Sequence, residues 1–232
     1  MDSPLPRRPI RGVIVDVDGT LTTTGRRLNF DAARAVMEVE ARGIPVLMAT
    51  GNVLPISLAL HRFLGLKSPI IAENGGLVYF NEKKVVHLGH REPGLRALEV
   101  LERHLHVQRL FTDRWRETEV SLEPTVDAEE VRKLVEGMGV RVENTGFAIH
   151  LMEPTAGKLP AARVALEPLG LTVEDCLVAG DGENDVELLQ AAAVGVSFPE
   201  AMAPAKAAAG YVTRSSNGGG LVEALRRFGL VV

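Results

Sequence analysis

Two aspartates follow an apolar run near the start of the chain. The run V-I-V at residues 13–15 predicts a buried strand, and Asp16 and Asp18 stand at its carboxyl end, just before Gly19. Because side chains alternate along a strand, both carboxylates project to the same side, where their like charges require a proton or a cation between them. A D-x-D triplet alone is more often a solvated turn, so other residues must decide between a turn and a reactive site.

Further polar groups follow two later apolar runs and begin one helix. Thr50 follows the run at 44–49, Asp181 and Asp185 follow the run C-L-V-A, and Lys158 begins a helix. Because the carboxyl ends of parallel strands meet at one edge of an open α/β sheet, we expect these side chains to lie near the first pair of aspartates. Thr50 has a second interpretation, as a plain N-cap of the helix that follows it.

The four aspartates, if they meet, predict a metal site and phosphoryl transfer. Carboxylates around one point demand a hard divalent cation bound through oxygen, and Mg²⁺ is the usual choice where phosphate is also a ligand. Lys158 and Thr50 would then bind a phosphoryl group. The set supplies a carboxylate nucleophile, a metal, a fixed cation and a second acid for proton transfer.

The elements that position these residues change in character along the chain. Solid apolar runs alternate with helical stretches at both ends of the chain, which predicts a parallel sheet flanked by helices. Between about Glu82 and Pro154, alternation in E-V-S-L and A-I-H-L predicts an antiparallel sheet with one covered face. The expected elements of this insert are a hairpin strand after Asn81, helices at 94–105 and 127–138, and strands at 118–122, 140–143 and 146–152.

We therefore predict an α/β fold, in which an α+β cap domain is inserted into a Rossmann-like parallel sheet core. The predicted core comprises residues 1–81 and 155–232, and the smaller cap domain comprises residues 82–154. In the second part of the core, the patterns predict strands at 194–197 and 211–213, a helix at 200–209, and a final helix at 221–228 after the glycines 218–220.

Composition excludes several classes of protein. The chain has 232 residues, 46% of them hydrophobic and 24% charged, with a net charge of -4, which predicts a soluble globular protein and no nucleic-acid partner. The first nine residues lack the apolar core of a signal peptide and no stretch is long enough to span a membrane. With the single Cys176, these features predict a cytoplasmic protein without a membrane partner. We expect a monomer or a homodimer.

The motifs resemble those of a known superfamily. In order, D-V-D-G-T-L, A-T-G, the helix-opening Lys158 and G-D-G-E-N-D resemble the four motifs of the haloacid dehalogenase superfamily, and the insert resembles the type C2 cap of its Cof-like branch. The resemblance covers nearly the whole chain. The short length of the chain, its T-G-N triplet and its compact cap resemble those of archaeal-type phosphoglycolate phosphatases. Two positions depart from many relatives, which have Arg in place of Asn52 and Gly in place of Leu159.

The resemblance implies a role for each motif residue. Asp16 would be the nucleophile, and Asp18 the general acid and base, with its main-chain carbonyl on the metal. Asp181 would bind Mg²⁺ directly, Asp185 directly or through a water, and Lys158 would bridge nucleophile and phosphate. The implied reaction is Mg²⁺-dependent hydrolysis of a small phosphorylated metabolite.

The substrate implied by the resemblance is 2-phosphoglycolate, and two other functions stay open. A sugar-phosphate phosphatase or phosphomutase would use the same residues, and a receiver-like phosphoacceptor would use them without being an enzyme. A substrate carboxylate would need a cationic partner from the cap, for which His150, Arg114 and Arg116 are the candidates. Each of these three is otherwise an ordinary surface group.

Overall fold

The computed structural model describes residues 8–23 and 25–232. The stretch inspected for a signal peptide lies outside the described residues except for its last two, and so does Thr24 of the loop after the first motif. Within the described ranges, none of the helices combines the length and apolar character needed to cross a bilayer.

Two sheets organise the described part of the chain. Its strands are β1 (Gly12–Val15), β2 (Val46–Ala49), β3 (Ile70–Ala72), β4 (Leu77–Asn81), β5 (Lys84–His87), β6 (Glu119–Leu122), β7 (Arg141–Asn144), β8 (Ile149–Met152), β9 (Cys176–Ala179), β10 (Val194–Ser197) and β11 (Tyr211–Val212). The large sheet has eight strands in the order β11-β10-β9-β1-β2-β3-β4-β5, and the small sheet has three in the order β6-β8-β7. Neighbouring strands from β11 to β3 are parallel, whereas β4 and β5 are antiparallel.

The helices of the described residues cover these sheets. They are α1 (Phe30–Ala41), α2 (Leu54–Phe63), α3 (Glu92–His104), α4 (Ala128–Leu134), α5 (Lys158–Leu166), α6 (Val186–Ala191), α7 (Ala203–Ala208) and α8 (Asn217–Arg227). Every residue of β1, β2, β9 and β10 is buried, because a parallel sheet has helices on both faces and its strands are apolar throughout. The predicted fold class, a Rossmann-like α/β core with a capping module, is confirmed.

The small sheet uses its two faces differently. Val120 of β6 and Leu151 of β8 pack with α3 and α4 in a second apolar core. The opposite face carries the polar side chains of Glu119, Ser121 and His150, and these are buried as well. The expectation of a single covered face is therefore wrong, because loops of the large sheet, with Gly51 and Asn74, lie against the polar face.

The strand β5 belongs to the large sheet and not to the small sheet of the insert. The sequence pattern assigns it to the cap, yet Val86 pairs with Val78 and β5 forms the edge of the large sheet. A short turn joins β4 to β5, and a hairpin strand pairs with its immediate neighbour, so β5 extends the sheet that contains β4. The domain boundaries at residues 82 and 154 stay predictions, and this pairing favours a first boundary after β5.

The last helix begins earlier than predicted. Glycines 218–220 form its first turn rather than a loop before it. A Cβ on Gly220 would lie 2.5 Å from Thr213 Oγ1 and 2.6 Å from Phe198 Cδ1. Close packing against the large sheet thus requires glycine there and overrides its low helix propensity.

Candidate active site

The carboxyl ends of β1 and β9 lie side by side, and polar loops follow both strands. Asp16 follows β1 and is 7% exposed. Gly19, in the same loop, has φ +83°, a value that residues with a side chain rarely adopt. A Cβ on Gly19 would lie 2.1 Å from Asp181 Oδ2 in the loop after β9. Glycine in the D-x-D-G turn therefore lets the carboxylate of Asp181 approach that of Asp16.

Lys158 connects two of the predicted aspartates. It is the first residue of α5, and its Nζ donates to Oδ1 of Asp16 at 2.7 Å and to Oδ1 of Asp185 at 2.7 Å. Burial alone would lower the pKa of Lys158, but these two carboxylates raise it above its ordinary value. A fixed positive charge therefore lies between the predicted nucleophile and a predicted metal ligand.

Three carboxylates lie close enough to share one cation. Oxygens of Asp16, Asp181 and Asp185 lie within 4.8 Å of one another. Burial, with the nearby charge of Asp185, raises the pKa of Asp181 to about 7. Burial also raises the pKa of Asp16, although Lys158 opposes this. Because Lys158 balances only one of three negative charges, this set of oxygen donors fits a hard divalent cation.

The side chain of Asp18 lies outside this three-carboxylate cluster. Its Oδ1 accepts a hydrogen bond from Arg26 Nε at 3.0 Å, and its Oδ2 accepts one from Asn52 Nδ2 at 2.6 Å. Two donors therefore hold the Asp18 carboxylate, and its charge contributes to the raised pKa of Asp181. A proton-transfer role for its side chain and a metal contact through its main chain both stay predictions.

Thr50 follows β2 and is buried. Its Oγ1 accepts hydrogen bonds from the backbone N–H and the side-chain Nδ2 of Asn52, both at 3.1 Å. The N-cap of α2 is Val53, so the interpretation of Thr50 as a plain N-cap is wrong. Binding of a phosphoryl group by Thr50 stays a prediction.

A cavity of about 620 Å³ lies between the large sheet and the small sheet. Asp16, Asp18 and Asn52 line it from the large sheet, and Arg116 and His150 line it from the small sheet. Its size suits a small molecule, and it joins the acidic loops to polar groups of the cap. We call the aspartate side of this cavity its floor and the small-sheet side its roof.

Three buried ionisable residues, Arg116, Glu119 and His150, form what we call the roof cluster. Arg116 Nη1 binds Glu119 Oε1 and also donates to the carbonyl oxygen of Gly51 at 2.9 Å. His150 Nδ1 lies 2.9 Å from the same Glu119 oxygen. Burial would raise the pKa of Glu119, but His150 and Arg116 lower it to about 2. Glu119 therefore stays ionised and holds both basic side chains in place.

The turn after β3 connects the roof cluster to the acidic loops. Asn74 Nδ2 donates to Glu119 Oε2 at 3.0 Å, and Asn74 Oδ1 accepts from Asn184 Nδ2 at 2.8 Å. The neighbouring Glu73 accepts hydrogen bonds from the backbone N–H groups of Glu117 and Thr118 in the cap. Side chains of this one turn thus bind both the cap and the loop that carries Asp181 and Asp185.

The cationic candidates for a substrate carboxylate separate into two groups. Arg116 and His150 line the cavity, as described above. Arg114 stacks over the ring of Phe111, with its Cζ 4.4 Å from the ring centroid, and is not among the residues that line this cavity. Arg26, which the sequence analysis did not consider, also lines it. A carboxylate in this cavity would therefore meet Arg116, His150 or Arg26.

The chain is similar throughout to a family of hydrolases. A family model described as haloacid dehalogenase-like hydrolase matches residues 13–94 and 118–225. The chain is 38% identical over 222 residues to a phosphoglycolate phosphatase of Archaeoglobus fulgidus, covering 95% of this chain and 98% of that protein. It is 36% identical over 219 residues to a phosphoglycolate phosphatase of Methanothermobacter thermautotrophicus, covering 94% and 99%.

Solved structures show the same fold. The crystal structure of a Thermoplasma acidophilum protein superposes with a TM-score of 0.87 at 29% identity, covering 97% of this chain and all of that one (100%). A subclass IIB sugar phosphatase of the haloacid dehalogenase superfamily superposes with a TM-score of 0.79 at 19% identity, covering 95% and 100%. At that identity the second likeness concerns the fold alone.

Proposed function

The chain belongs to the haloacid dehalogenase-like hydrolases and is a phosphatase, and on this premise we propose that it hydrolyses 2-phosphoglycolate to glycolate and inorganic phosphate with the aid of Mg²⁺. The observation that carries the proposal is the buried Lys158, bonded at 2.7 Å to both Asp16 and Asp185 on the floor of the cavity. The named activity of the archaeal relatives and the basic groups of the roof support the choice of a small phosphorylated acid.

In the proposed first step, a carboxylate oxygen of Asp16 attacks the phosphorus atom. The bond from phosphorus to the substrate alkoxide breaks, Asp18 gives its proton to the alkoxide, and an aspartyl phosphate remains on Asp16. Lys158 and Thr50 hold phosphoryl oxygens as charge moves onto the leaving group.

In the second step, a water molecule attacks the phosphorus atom of the aspartyl phosphate. Asp18, now ionised, takes a proton from that water, and the bond between phosphorus and Asp16 breaks. Inorganic phosphate leaves and both aspartates return to their starting states. The cap excludes other water from the acyl phosphate while the product alcohol departs.

Asp16, Asp181 and Asp185, with the main chain of Asp18, would hold the Mg²⁺ ion. When bound, the ion neutralises negative charge on the attacking carboxylate and on the phosphoryl oxygens. The support from this chain is its donor set of three crowded carboxylates with one lysine.

Substrate preference tests the proposal directly. With Mg²⁺ present, kcat/KM for 2-phosphoglycolate should exceed the values for ethyl phosphate and glucose 6-phosphate by about tenfold or more, since a hydrogen bond to a charged group contributes roughly 1.5–3 kcal/mol. The measurement is initial phosphate release over a range of substrate concentrations. Equal efficiency with ethyl phosphate would reject the acid as substrate, and a preference for glucose 6-phosphate would favour a sugar phosphatase.

Removal of one metal ligand tests the metal site. Asp181→Asn should raise the Mg²⁺ concentration for half-maximal activity by about tenfold or more, because it removes a charged oxygen donor from a set of three. The change keeps the side-chain shape that fits against Gly19. Asp31→Asn, at an exposed position on α1, is the matched control. An unchanged Mg²⁺ requirement in Asp181→Asn would place the metal elsewhere.

A further inference from the structure

On the roof of the cavity, the buried Nε of Arg116 lacks a hydrogen-bond acceptor among the described residues. Arg116 is 5% exposed, and its Nη1 is engaged by Glu119 and Gly51. Its Nε is buried and has no hydrogen-bond partner among the described residues. A buried donor left in this state costs roughly 1–3 kcal/mol. Because Arg116 also lines the cavity, an anionic ligand there is a candidate acceptor for its guanidinium.

His150 presents a second open position on the same roof. Its Nδ1 lies 2.8 Å from Ser121 Oγ and 2.9 Å from Glu119 Oε1, so this nitrogen is already occupied within the roof. The other nitrogen, Nε2, has its one recorded contact at 3.5 Å, with Thr145 Oγ1, and Thr145 also lines the cavity. That distance exceeds an ordinary hydrogen bond, so Nε2 is open to a ligand, and a hydrogen on Nε2 can be donated to a carboxylate oxygen.

The charges of the cavity differ between floor and roof. The floor holds three carboxylates and one lysine, whereas the roof cluster holds one carboxylate and two basic side chains. In the proposed function Lys158 and the metal of the floor are committed to the phosphoryl group, so the basic side chains of the roof are the ones that remain for a second anionic group. Arg116 also touches the carbonyl of Gly51, next to Thr50, so the roof site adjoins the loop that would bind phosphate.

We propose that Arg116 and His150 form a binding site for the carboxylate of the substrate, with Glu119 as the residue that positions both. The proposal rests on the proposed phosphatase function and adds which residues select the substrate. Because Arg116 contacts the loop beside Thr50, the carboxylate lies next to the phosphoryl group. The site therefore suits short phosphorylated acids, in which only one or two carbons separate the two anionic groups.

The test compares two substrates that differ in the carboxylate. The ratio of kcat/KM for 2-phosphoglycolate to that for ethyl phosphate is measured in the wild type, in Arg116→Met and in His150→Gln. We expect each change to lower this ratio by about tenfold or more, through a higher KM for phosphoglycolate. Arg114→Met is the matched control, because Arg114 lies in the same segment outside the cavity lining and should keep the wild-type ratio.

Several outcomes would overturn the proposal. If Arg116→Met and His150→Gln reduce kcat/KM equally for both substrates, the roof cluster has only a structural role. If Arg26→Met alone removes the preference, Arg26 binds the carboxylate instead. Should Arg116→Met fail to fold, His150→Gln still decides the question, because the hydrogen bonds of His150 within the described residues go to Ser121, Glu119 and Thr145, all in the predicted cap. Absence of phosphate release from every substrate in the wild type would instead reject the proposed function itself.

Discussion

Asp16→Asn is expected to abolish phosphate release, with a loss of about 10³-fold or more in kcat, because the amide of asparagine cannot form the aspartyl phosphate of the proposed mechanism. The fold should persist. Asparagine has the same shape, and burial already disfavours the charged form of Asp16, as its raised pKa indicates. Phosphate release, thermal unfolding and rapid-quench capture of labelled phosphate on the protein would together measure the effect.

The unfolding measurement separates a chemical loss from a structural one. An Asp16→Asn protein with an unchanged unfolding temperature, no activity and no bound label would agree with a nucleophilic role. The control is Asp31→Asn, an exposed aspartate of α1 outside the cavity lining, which should keep the wild-type activity and unfolding temperature. Retention of more than a few per cent of wild-type activity in Asp16→Asn would assign the nucleophile to another residue.

Asp18→Asn is expected to lower kcat by about 10²–10⁴-fold while leaving the Mg²⁺ requirement nearly unchanged. Asparagine cannot give a proton to the alkoxide or take one from water, whereas the carboxylate of Asp18 lies outside the three-carboxylate cluster. The measurement is kcat as a function of Mg²⁺ concentration in the wild type and the variant. An equal loss in turnover and in Mg²⁺ affinity would make the Asp18 carboxylate a metal ligand.

A second substrate sharpens this test. The leaving group of 4-nitrophenyl phosphate is stable as an anion and needs no proton, so the first step in Asp18→Asn should proceed with that substrate. The second step still lacks its base. Asp18→Asn should therefore release one nitrophenolate per protein in a burst and then stall as the aspartyl phosphate. Slow release without a burst would contradict a role for Asp18 in the second step.

The positions of most predicted site residues could be read from the sequence because one rule applies to them, although Lys158, which begins α5, lies outside that rule. Polar residues that follow buried parallel strands meet at one edge of the sheet, and this rule located Asp16, Thr50 and Asp181. The same rule also applies to Glu73 and Asn74, which follow β3, although neither is among the predicted site residues. Both residues contact the cap, and no local sequence pattern predicts how the cap packs against the large sheet.

The prediction that only one face of the small sheet is covered was wrong for a related reason. Alternation in E-V-S-L predicts that Glu119 and Ser121 share one face, and they do. The alternation of polar and apolar residues does not tell whether that face meets water or another domain, because polar residues occur in both environments. A buried ion pair requires its partners to be present, and Arg116 and His150 come from separate parts of the insert.

The place of β1 in the large sheet has a consequence for synthesis of the protein. β1 pairs on one side with β2 and on the other with β9, which begins at Cys176. A growing chain on the ribosome therefore carries Asp16 on a strand with one open edge, and it lacks both Asp181 and Asp185. Until the last quarter of the chain emerges, the proposed nucleophile is present without two of the proposed metal ligands. The nascent polypeptide thus has no means of hydrolysing phosphate esters before its insert is complete and the central strand is paired on both sides.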